Sequence, residues 1–284
     1  MTVQPAIPVG GIVGLRFLDQ TFDRQFDTFF RSPSIAREVE YFRENAGNIT
    51  TVDELIGDRR ILAVVLGAFG LEEDLNKGAF IRKVIEEGTL ERTAFANRLV
   101  DPAYRELSST LGFGNFNGEG TLILESTRNR ILADFQERRF ETAVGEVDFN
   151  IRLALNFRRE ATEIAQQGLS PESGFLRFLA TPPLRSVIEQ TLLLPQQFGL
   201  IDLDQQVEVV QQRAQQLFGI SDPAQFLEDG NLDRFVDRFL ANAQIAQGVV
   251  GPGVRGATAL TLLQSSSIGS VGAANLFASN FSIL

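Results

Sequence analysis

Carboxylates are the side chains of this sequence best able to do chemistry, because the chain has no histidine and no cysteine. Imidazole bases, thiol nucleophiles, disulfides and metal sites built on His or Cys are therefore excluded. Asp58, Asp101 and Asp148 are acids that could hold Mg²⁺ or Ca²⁺, since both ions prefer oxygen ligands. One hypothesis is thus a helical enzyme that uses these carboxylates with a divalent metal. The preferred interpretation is that the chain is not an enzyme, with no catalytic residue, no cofactor and no bound metal.

A second acidic pattern begins at Asp202 and Asp204 and resembles the start of a calcium-binding loop. Such a loop needs glycine at its sixth position and glutamate at its twelfth. Val207 and Arg213 stand there instead. The pattern therefore favours a structural role, in which Asp202 or Asp204 caps a helix over residues 205–218.

The glycines Gly112, Gly114 and Gly118 could cradle a phosphate, but their spacing differs from the dinucleotide-binding fingerprint and no predicted strand precedes them. The P-loop sequence with Gly-Lys-Ser or Gly-Lys-Thr is also absent. Nucleotide binding is not predicted. The segment 112–120 is instead expected to be a loop and the main internal boundary.

Charge and composition narrow the classes of partner. The 284 residues are 44% hydrophobic and 22% charged, as in globular proteins with a real core, and the net charge is −10. A strongly acidic balance argues against nucleic acid and against an anionic membrane, because both are bound by clustered Lys and Arg. No apolar run is long enough to span a bilayer. Protein partners are expected, and self-association is a further option.

Helix signals recur along the chain and predict an all-α fold. A capping side chain stands directly before a proline at Ser32, Asp101, Ser170 and Asp222. Thr51 and Glu54 form a candidate capping box, and the helix after them is expected to continue through Asp58 to Phe69. No run alternates strictly between apolar and polar residues, so no sheet is predicted.

The stretch Phe140–Glu160 is expected to be a central, mostly buried helix. One apolar seam includes Val147 and a second begins at Phe149. Gly145 predicts a close helix crossing or a kink, expected between residues 145 and 149. As one straight helix, residues 121–167 would be about 70 Å long, which predicts a break or an elongated array with a long, kinked central helix. The predicted core residues of this stretch are Phe140, Val144, Ile151, Leu155 and Phe157.

Composition divides the chain into four predicted parts. Residues 1–15 are an extended arm, residues 16–112 a first helical module, and residues 113–248 the central helices with a second helical module. Residues 249–284 form a tail rich in Gly, Ala and Ser, without charge after Arg255. Its large apolar residues are expected either to fold back onto the helical body or to insert into a groove of a partner, and the partner is the preferred interpretation. The residues named for this role are Leu260, Leu263, Leu276, Phe277 and Phe281.

Several long blocks resemble one family and occur in its order. They are YFRENAGNITTVDELIGDRRILAVVLGAFGLEEDLNKGAFIRKVIEEG, FANRLVDPAYRELSSTLGFG, RFETAVGEVDFNIRLALNFRRE and PPLRSVIEQTLLLPQQFGLIDLDQQ. Over residues 17–240 the chain resembles the domain-of-unknown-function 1217 family. That family occurs in alphaproteobacteria, and its genes often lie beside flagellar genes.

The resemblance implies a helical protein associated with flagellar assembly or structure and brings no catalytic residue with it. The lack of Cys, His and Trp and the uncharged ends are similar to subunits exported through the flagellar channel. The polar N-terminal helices of rod and hook subunits are missing, so an accessory or assembly factor is preferred. The expected location is the cytoplasm, or the flagellum after export without a cleaved signal peptide. The alternative remains a metal-dependent carboxylate enzyme or a helical binding module unrelated to flagella.

Overall fold

Helices make up the regular structure of residues 3–248, the part of the chain that this computed structural model describes, and no strand occurs there. The all-α prediction is confirmed. The helices are α1 (Gly11–Phe30), α2 (Pro33–Asn45), α3 (Val52–Gly57), α4 (Arg59–Ala68), α5 (Gly78–Glu86), α6 (Phe95–Arg98), α7 (Pro102–Leu111), α8 (Glu125–Val147), α9 (Phe149–Gln166), α10 (Pro171–Ala180), α11 (Pro182–Leu192), α12 (Leu203–Phe218) and α13 (Asn231–Ala246). Short 3-10 helices lie at Ala46–Asn48, Glu72–Asp74, Thr121–Ile123, Gln196–Leu200 and Pro223–Leu227.

The proline-preceding caps begin helices as predicted. Helices α2, α7 and α10 and the last 3-10 helix each start at the proline. Asp101, Ser170 and Asp222 accept a hydrogen bond from a backbone N–H in the first turn of α7, of α10 and of the last 3-10 helix, respectively. Ser32 behaves differently, because its hydroxyl donates to the carbonyl oxygen of Phe29, 2.6 Å away. Three of the four caps therefore satisfy N–H groups that a helix start leaves free.

The capping box of Thr51 and Glu54 is present at the start of α3. The prediction that this helix continues to Phe69 is wrong. Asp58 has an extended backbone (φ −93°, ψ 91°), which ends α3 at Gly57 and lets α4 begin at Arg59. A side chain that caps a new helix thus overrides an apolar run that favours continuation.

Helices α8 and α9 fold back on each other around one connecting residue. Asp148 has an extended backbone (φ −144°, ψ 107°) between them. Glu141 of α8 pairs with Arg159 of α9, and a side chain at Gly145 would collide with Arg152. The break falls inside the predicted interval 145–149, but the span is an antiparallel hairpin and not one long kinked helix. Gly145 allows the close approach.

The predicted core of this hairpin is largely confirmed. Phe140, Val144, Ile151 and Phe157 are buried, whereas Leu155 is only partly buried. Val147 and Phe149 are exposed, although the sequence placed them on the two apolar seams. Both seams were drawn on one continuous helix. Because the chain breaks at Asp148, the helical phase of α9 is independent of that of α8, and Val147 and Phe149 no longer lie on the buried faces.

Aromatic rings organise the core at two places. Phe140 of α8 lies against three rings of α1, with centroids 5.3 to 5.6 Å apart; they belong to Phe22, Phe26 and Phe29. Phe157 of α9 lies at the second place, against Phe178, Phe226 and Phe235, with centroids 5.0 to 5.7 Å apart. The hairpin therefore supplies a central ring to both aromatic groups.

The described residues divide into two compact units, of which the first ends at Leu240 and the second begins at Ala241. The boundary predicted at residues 112–120 lies inside the first unit, where the N–H of Gly114 donates to the carbonyl oxygen of Ile85 at 3.2 Å. The extended arm ends earlier than predicted, since α1 starts at Gly11. The tail, residues 249–284, lies outside the described residues.

Candidate functional site

The three aspartates proposed as metal ligands each cap a different helix. One oxygen of Asp58 accepts from the N–H groups of Arg60 and Ile61 at the start of α4, both at 3.0 Å. The other oxygen accepts from the hydroxyl of Tyr41 at 2.8 Å. Both oxygens of Asp58 are therefore already used within the protein.

Asp101 and Asp148 act in the same way at α7 and α9. Asp101 accepts from the N–H of Ala103 at 2.8 Å, and Asp148 accepts from the N–H groups of Asn150 and Ile151 at 2.9 and 3.1 Å. Within residues 3–248 no three acidic side chains are grouped closely enough to hold a metal ion. The structure does not bring the three aspartates together as a site.

The remaining predicted sites have structural positions or lie outside the described residues. Asp202 stands at the N-cap position of α12 without a side-chain hydrogen bond there, and Asp204 lies in the first turn. Gly112 ends α7 in the left-handed region (φ 74°). The tail residues Leu260, Leu263, Leu276, Phe277 and Phe281 belong to the part that is not described, so their role as partner contacts stays a prediction.

A charged cluster joins α8 and α9. Arg159 Nε and Nη2 donate to the two oxygens of Glu141 at 2.9 and 3.2 Å, and Nη1 donates to Glu160 at 2.7 Å. Glu160 also accepts from Arg138 at 3.1 Å. Burial lowers the pKa of Arg159, but the charges and hydrogen bonds of Glu141 and Glu160 outweigh this effect and raise it above its ordinary value. The cluster therefore fixes α9 against α8 through a bidentate pair.

Glu163 lies one turn beyond this pair and has a shifted acidity. Burial of its carboxyl and the charge of Glu160 raise its pKa to about 7, while Arg159, 3.9 Å away, opposes the shift. Burial also raises the pKa values of Asp134 and Glu137 on α8. The acids beside the buried pair thus hold protons at a higher pH than isolated carboxyls do.

A polar cleft of about 360 Å³ opens beside the cluster. It lies between the starts of α7 and α11, and Arg105, Arg138, Glu160 and Glu163 line it. Asn156 also lines it, and its side-chain oxygen is buried without a hydrogen-bond partner in the described structure. The cleft therefore offers charges of both signs and one unsatisfied acceptor to a polar group.

An apolar groove of about 370 Å³ lies next to the polar cleft and shares Pro102, Arg105 and Arg177 with it. It runs between residues 96–105, which lead from α6 into α7, and residues 169–180, which contain α10. Its apolar lining consists of Ala96, Leu99, Val100, Pro102, Leu169, Leu176 and Ala180. Val100 is 86% exposed and Leu176 is 38% exposed. Exposed apolar side chains gathered in a groove are typical of a contact surface.

Sequence reasoning missed both the polar cleft and the apolar groove. One signal was available for Leu176, because α10 buries Phe175, Phe178 and Leu179 and position 176 falls off that face. Val100 carried no such signal, since it lies in the connection between α6 and α7. Among the described helices, none combines the length and the apolar character that crossing a bilayer requires.

Comparisons with known proteins identify relatives of the chain. A family model described as "Protein of unknown function (DUF1217)" matches residues 68–226. The structure is similar to the X-ray crystal structure of protein AGR_C_984 from Agrobacterium tumefaciens, with a TM-score of 0.66 and 27% sequence identity over 85% of this chain and 98% of that one. A comparison with curated proteins finds no match. The polar cleft and the apolar groove both lie within the residues that the family model matches.

Proposed function

Because this chain belongs to the family described as protein of unknown function DUF1217, we propose that it is a non-enzymatic helical protein that acts through protein–protein contacts in flagellar assembly or structure. The observation that carries the proposal is the apolar groove. Val100 and Leu176 are exposed in it, and burying such side chains against a partner is favourable by roughly 25 cal/mol for each Å² removed from water.

The acids support the same proposal. Asp58, Asp101 and Asp148, which the alternative hypothesis assigned to a metal, each accept a hydrogen bond as a helix cap. Glu141 and Glu160 are occupied by Arg159. No observation on the described residues favours the metal-dependent enzyme over the contact protein.

The flagellar part of the proposal rests on the family resemblance and on composition. Genes of the family often lie beside flagellar genes, and a chain without Cys, His or Trp resembles exported flagellar subunits. An accessory or assembly factor is preferred over an axial subunit. The tail residues Leu260, Leu263, Leu276, Phe277 and Phe281 are proposed as a second contact region.

A deletion strain of the source organism tests the proposal. We expect deletion to reduce swimming in soft agar and the number of filaments seen by electron microscopy, and the full chain to restore both. The variant Val100→Asp should fail to restore swimming because it places a charge in the apolar groove. Leu200→Asp is a matched control, since Leu200 is 84% exposed and lies outside the groove.

Unchanged swimming and filament number in the deletion strain would remove the flagellar assignment. If swimming fell but both variants restored it equally, the apolar groove would not be the contact surface. Cell levels of each variant, measured by immunoblot, separate a lost contact from a lost protein.

A further inference from the structure

A side chain of α1 binds the backbone of the segment that precedes this helix. We call residues 3–10 the docked arm, since they have no regular structure and lie along α1. The N–H of Ala6 donates to Gln25 Oε1 at 2.7 Å, and Gln25 Nε2 donates to the carbonyl oxygen of Ala6 at 3.1 Å. Nε2 also donates to the hydroxyl of Thr21 at 2.7 Å, which orients the amide. The amide of Gln25 thereby satisfies backbone groups that have no helix or sheet partner.

The docked arm also packs against the folded body of the protein. Its residue Pro5 is buried. Gly14 of α1 allows a close approach, because a Cβ there would collide with the carbonyl oxygen of Val9. Outside α1, Gln4 donates to Glu146 at 3.4 Å. The docked arm therefore occupies a binding site for a non-helical segment, formed by α1 and the end of α8.

Two glycines connect the docked arm to α1. Gly11 has φ 68°, in the left-handed region that favours glycine, and the backbone of Gly10 is extended. The chain reverses here, so that Ala6 lies beside Gln25, about four turns into α1. Glycine adopts positive and negative φ values about equally well. Gly10 and Gly11 can therefore act as a hinge that carries the docked arm away from its own α1.

Exposed apolar side chains stand on both sides of this hinge. Val9 precedes it and is 55% exposed, and Val13 follows it and is 66% exposed. Phe17, one turn after Val13, is also exposed. Residues 1–15 contain no charged side chain, so no charge on them opposes the approach of a second copy at this point. Exposed apolar residues around a hinge are a surface that another copy can cover.

We propose that two copies of this chain exchange their docked arms, so that Ala6 of one copy is bound by Gln25 of the other. Each α1 site keeps the contacts that it has in the single chain, so exchange loses none of them. The two hinges must lie side by side, because each arm crosses between the copies there. Val9, Val13 and Phe17 then face the same residues of the other copy, and their burial offsets the entropy lost on association. The inference goes beyond the proposed function and does not depend on it.

A second copy is favoured over an unrelated partner as the occupant of the α1 site. An unrelated segment would compete with the chain's own arm, which the hinge keeps at a high local concentration. The arm of a second copy meets the same competitor, but it frees one site for every site that it fills. It also brings a second set of exposed apolar residues to the hinge. Exchange therefore needs only the contacts already present in the single chain and the burial at the hinge.

The test uses thiols introduced into the full chain, which has no cysteine of its own. Val3→Cys is made on one tagged copy and Thr28→Cys on a second copy with a different tag. Both positions are exposed beside the same cavity of about 290 Å³ between the docked arm and α1. The copies are unfolded in urea, refolded as a mixture at rising concentration and treated with a short bis-maleimide. We expect a linked product that carries both tags and increases with concentration.

Asp23→Cys in place of Thr28→Cys is the matched control. Asp23 is exposed on α1 but does not line that cavity. Its yield of doubly tagged product should be at least about tenfold lower, because linking requires two thiols held close together. A single copy that carries both Val3→Cys and Thr28→Cys measures the fraction of docked arms that have not exchanged.

Two further pairs of variants test the hinge, with the mass of the full chain measured by sedimentation. Val13→Asp should weaken self-association about tenfold or more, because it places two charges where the hinges meet, whereas Leu90→Asp, at an exposed residue between α5 and α6, should not. Gly11→Ala should strengthen it about tenfold, because alanine strains the φ of 68° that the reversed chain requires and exchange relieves that strain. Gly230→Ala, with the same φ of 68° in the turn before α13, is the control. Circular dichroism checks that each variant keeps its helices.

Each contrary outcome overturns a defined part of the inference. A link formed only within single chains, together with a monomer at every concentration, would show that the docked arm does not exchange. A dimer without the doubly tagged link, or equal linking at Asp23→Cys, would place self-association on another surface. Equal dimerisation of Val13→Asp and the wild-type chain would remove the apolar hinge as its cause. The loss of swimming expected on deletion does not depend on these results, so the proposed function is tested separately.

Discussion

Arg159 of α9 and Glu141 of α8 form a bidentate ion pair in which each side chain is only 8% exposed. The pair links the two helices of the central hairpin, and Glu160 and Arg138 extend it toward the polar cleft. Charges buried to this extent are tolerated only when their partners are in place.

We therefore expect Arg159→Leu to destabilise the protein by about 3–5 kcal/mol, because Glu141 is left buried without a counter-charge. The double variant Glu141→Leu with Arg159→Leu should recover part of that loss, since two apolar side chains replace the pair. Urea unfolding followed by circular dichroism measures both. A double variant as unstable as the sum of the two single variants would show that the pair is not coupled.

Glu163 makes stability depend on pH. Its pKa is raised to about 7 in the folded protein, so the folded state holds a proton that the unfolded state has already released between about pH 4.5 and 7. The stability gained from this bound proton is fully present below about pH 4.5 and is lost as the pH rises to about 7. The Glu163 side chain is 48% exposed, so solvent screening limits the effect to at most about 1 kcal/mol.

The difference between the wild-type chain and Glu163→Gln isolates this effect, because Glu163 is not among the causes that raise the pKa values of Asp134 and Glu137. Melting temperatures between pH 5 and 8 should converge at the acidic end and separate at the other, with Glu163→Gln the more stable. Glu119→Gln, an exposed glutamate in the loop before α8, is the control. Parallel curves for all three proteins would contradict the assignment.

Phe157 is expected to be among the costliest core residues to truncate. It is fully buried and stacks on Phe235, with centroids 5.0 Å apart and planes 9° apart. Phe157→Ala should cost about 3–5 kcal/mol in urea unfolding. Phe149→Ala on the same helix removes an exposed ring and should change stability by less than about 0.5 kcal/mol. A loss below about 1 kcal/mol for Phe157→Ala would contradict the burial of this ring in the core.

Asp148 is expected to act as a cap and not as a metal ligand. Asp148→Ala should cost about 1 kcal/mol, because the N–H groups of Asn150 and Ile151 lose their acceptor, whereas Asp148→Asn keeps an acceptor and should cost less. Thermal melting of the three proteins gives the comparison. Equal losses for both variants would show that the negative charge itself is required.

Addition of Ca²⁺ or Mg²⁺ should leave the melting temperature unchanged. A specific ion present at a concentration of 100 times its Kd would add about 2.7 kcal/mol to the free energy of unfolding, and a melting curve detects such a change easily. Because Asp58, Asp101 and Asp148 are engaged by N–H groups at separate helix starts, we expect no such gain. A clear rise in melting temperature would instead support the hypothesis of a metal-dependent carboxylate enzyme.

Local signals could be read from the sequence, and long-range pairings could not. The caps at Asp101 and Ser170 and the box of Thr51 with Glu54 depend on residues two or three apart, and the structure has them. The helix start at Asp58 is not predicted, because the apolar run after it favours an uninterrupted helix. Asp101, an aspartate in the same capping role, is predicted because a proline follows it.

The candidate site depends on contacts that no local pattern encodes. Arg159 had several acids near it in sequence, and only the return of α9 along α8 selects Glu141. Val100 and Leu176 come together through the packing of α10 beside the α6–α7 connection. The apolar groove therefore becomes visible only once the helices are placed.

The cap at Asp148 also fixes where along α9 the contacts of Phe157 and Arg159 fall. One residue inserted in α9 between Asp148 and Phe157 would rotate both side chains by about 100° about the helix axis relative to the cap, since a helix turns once in 3.6 residues. Arg159 would then leave Glu141, and Phe157 would leave the rings of Phe178 and Phe235. A related chain that keeps the cap and both contacts is therefore expected to keep the number of residues between them.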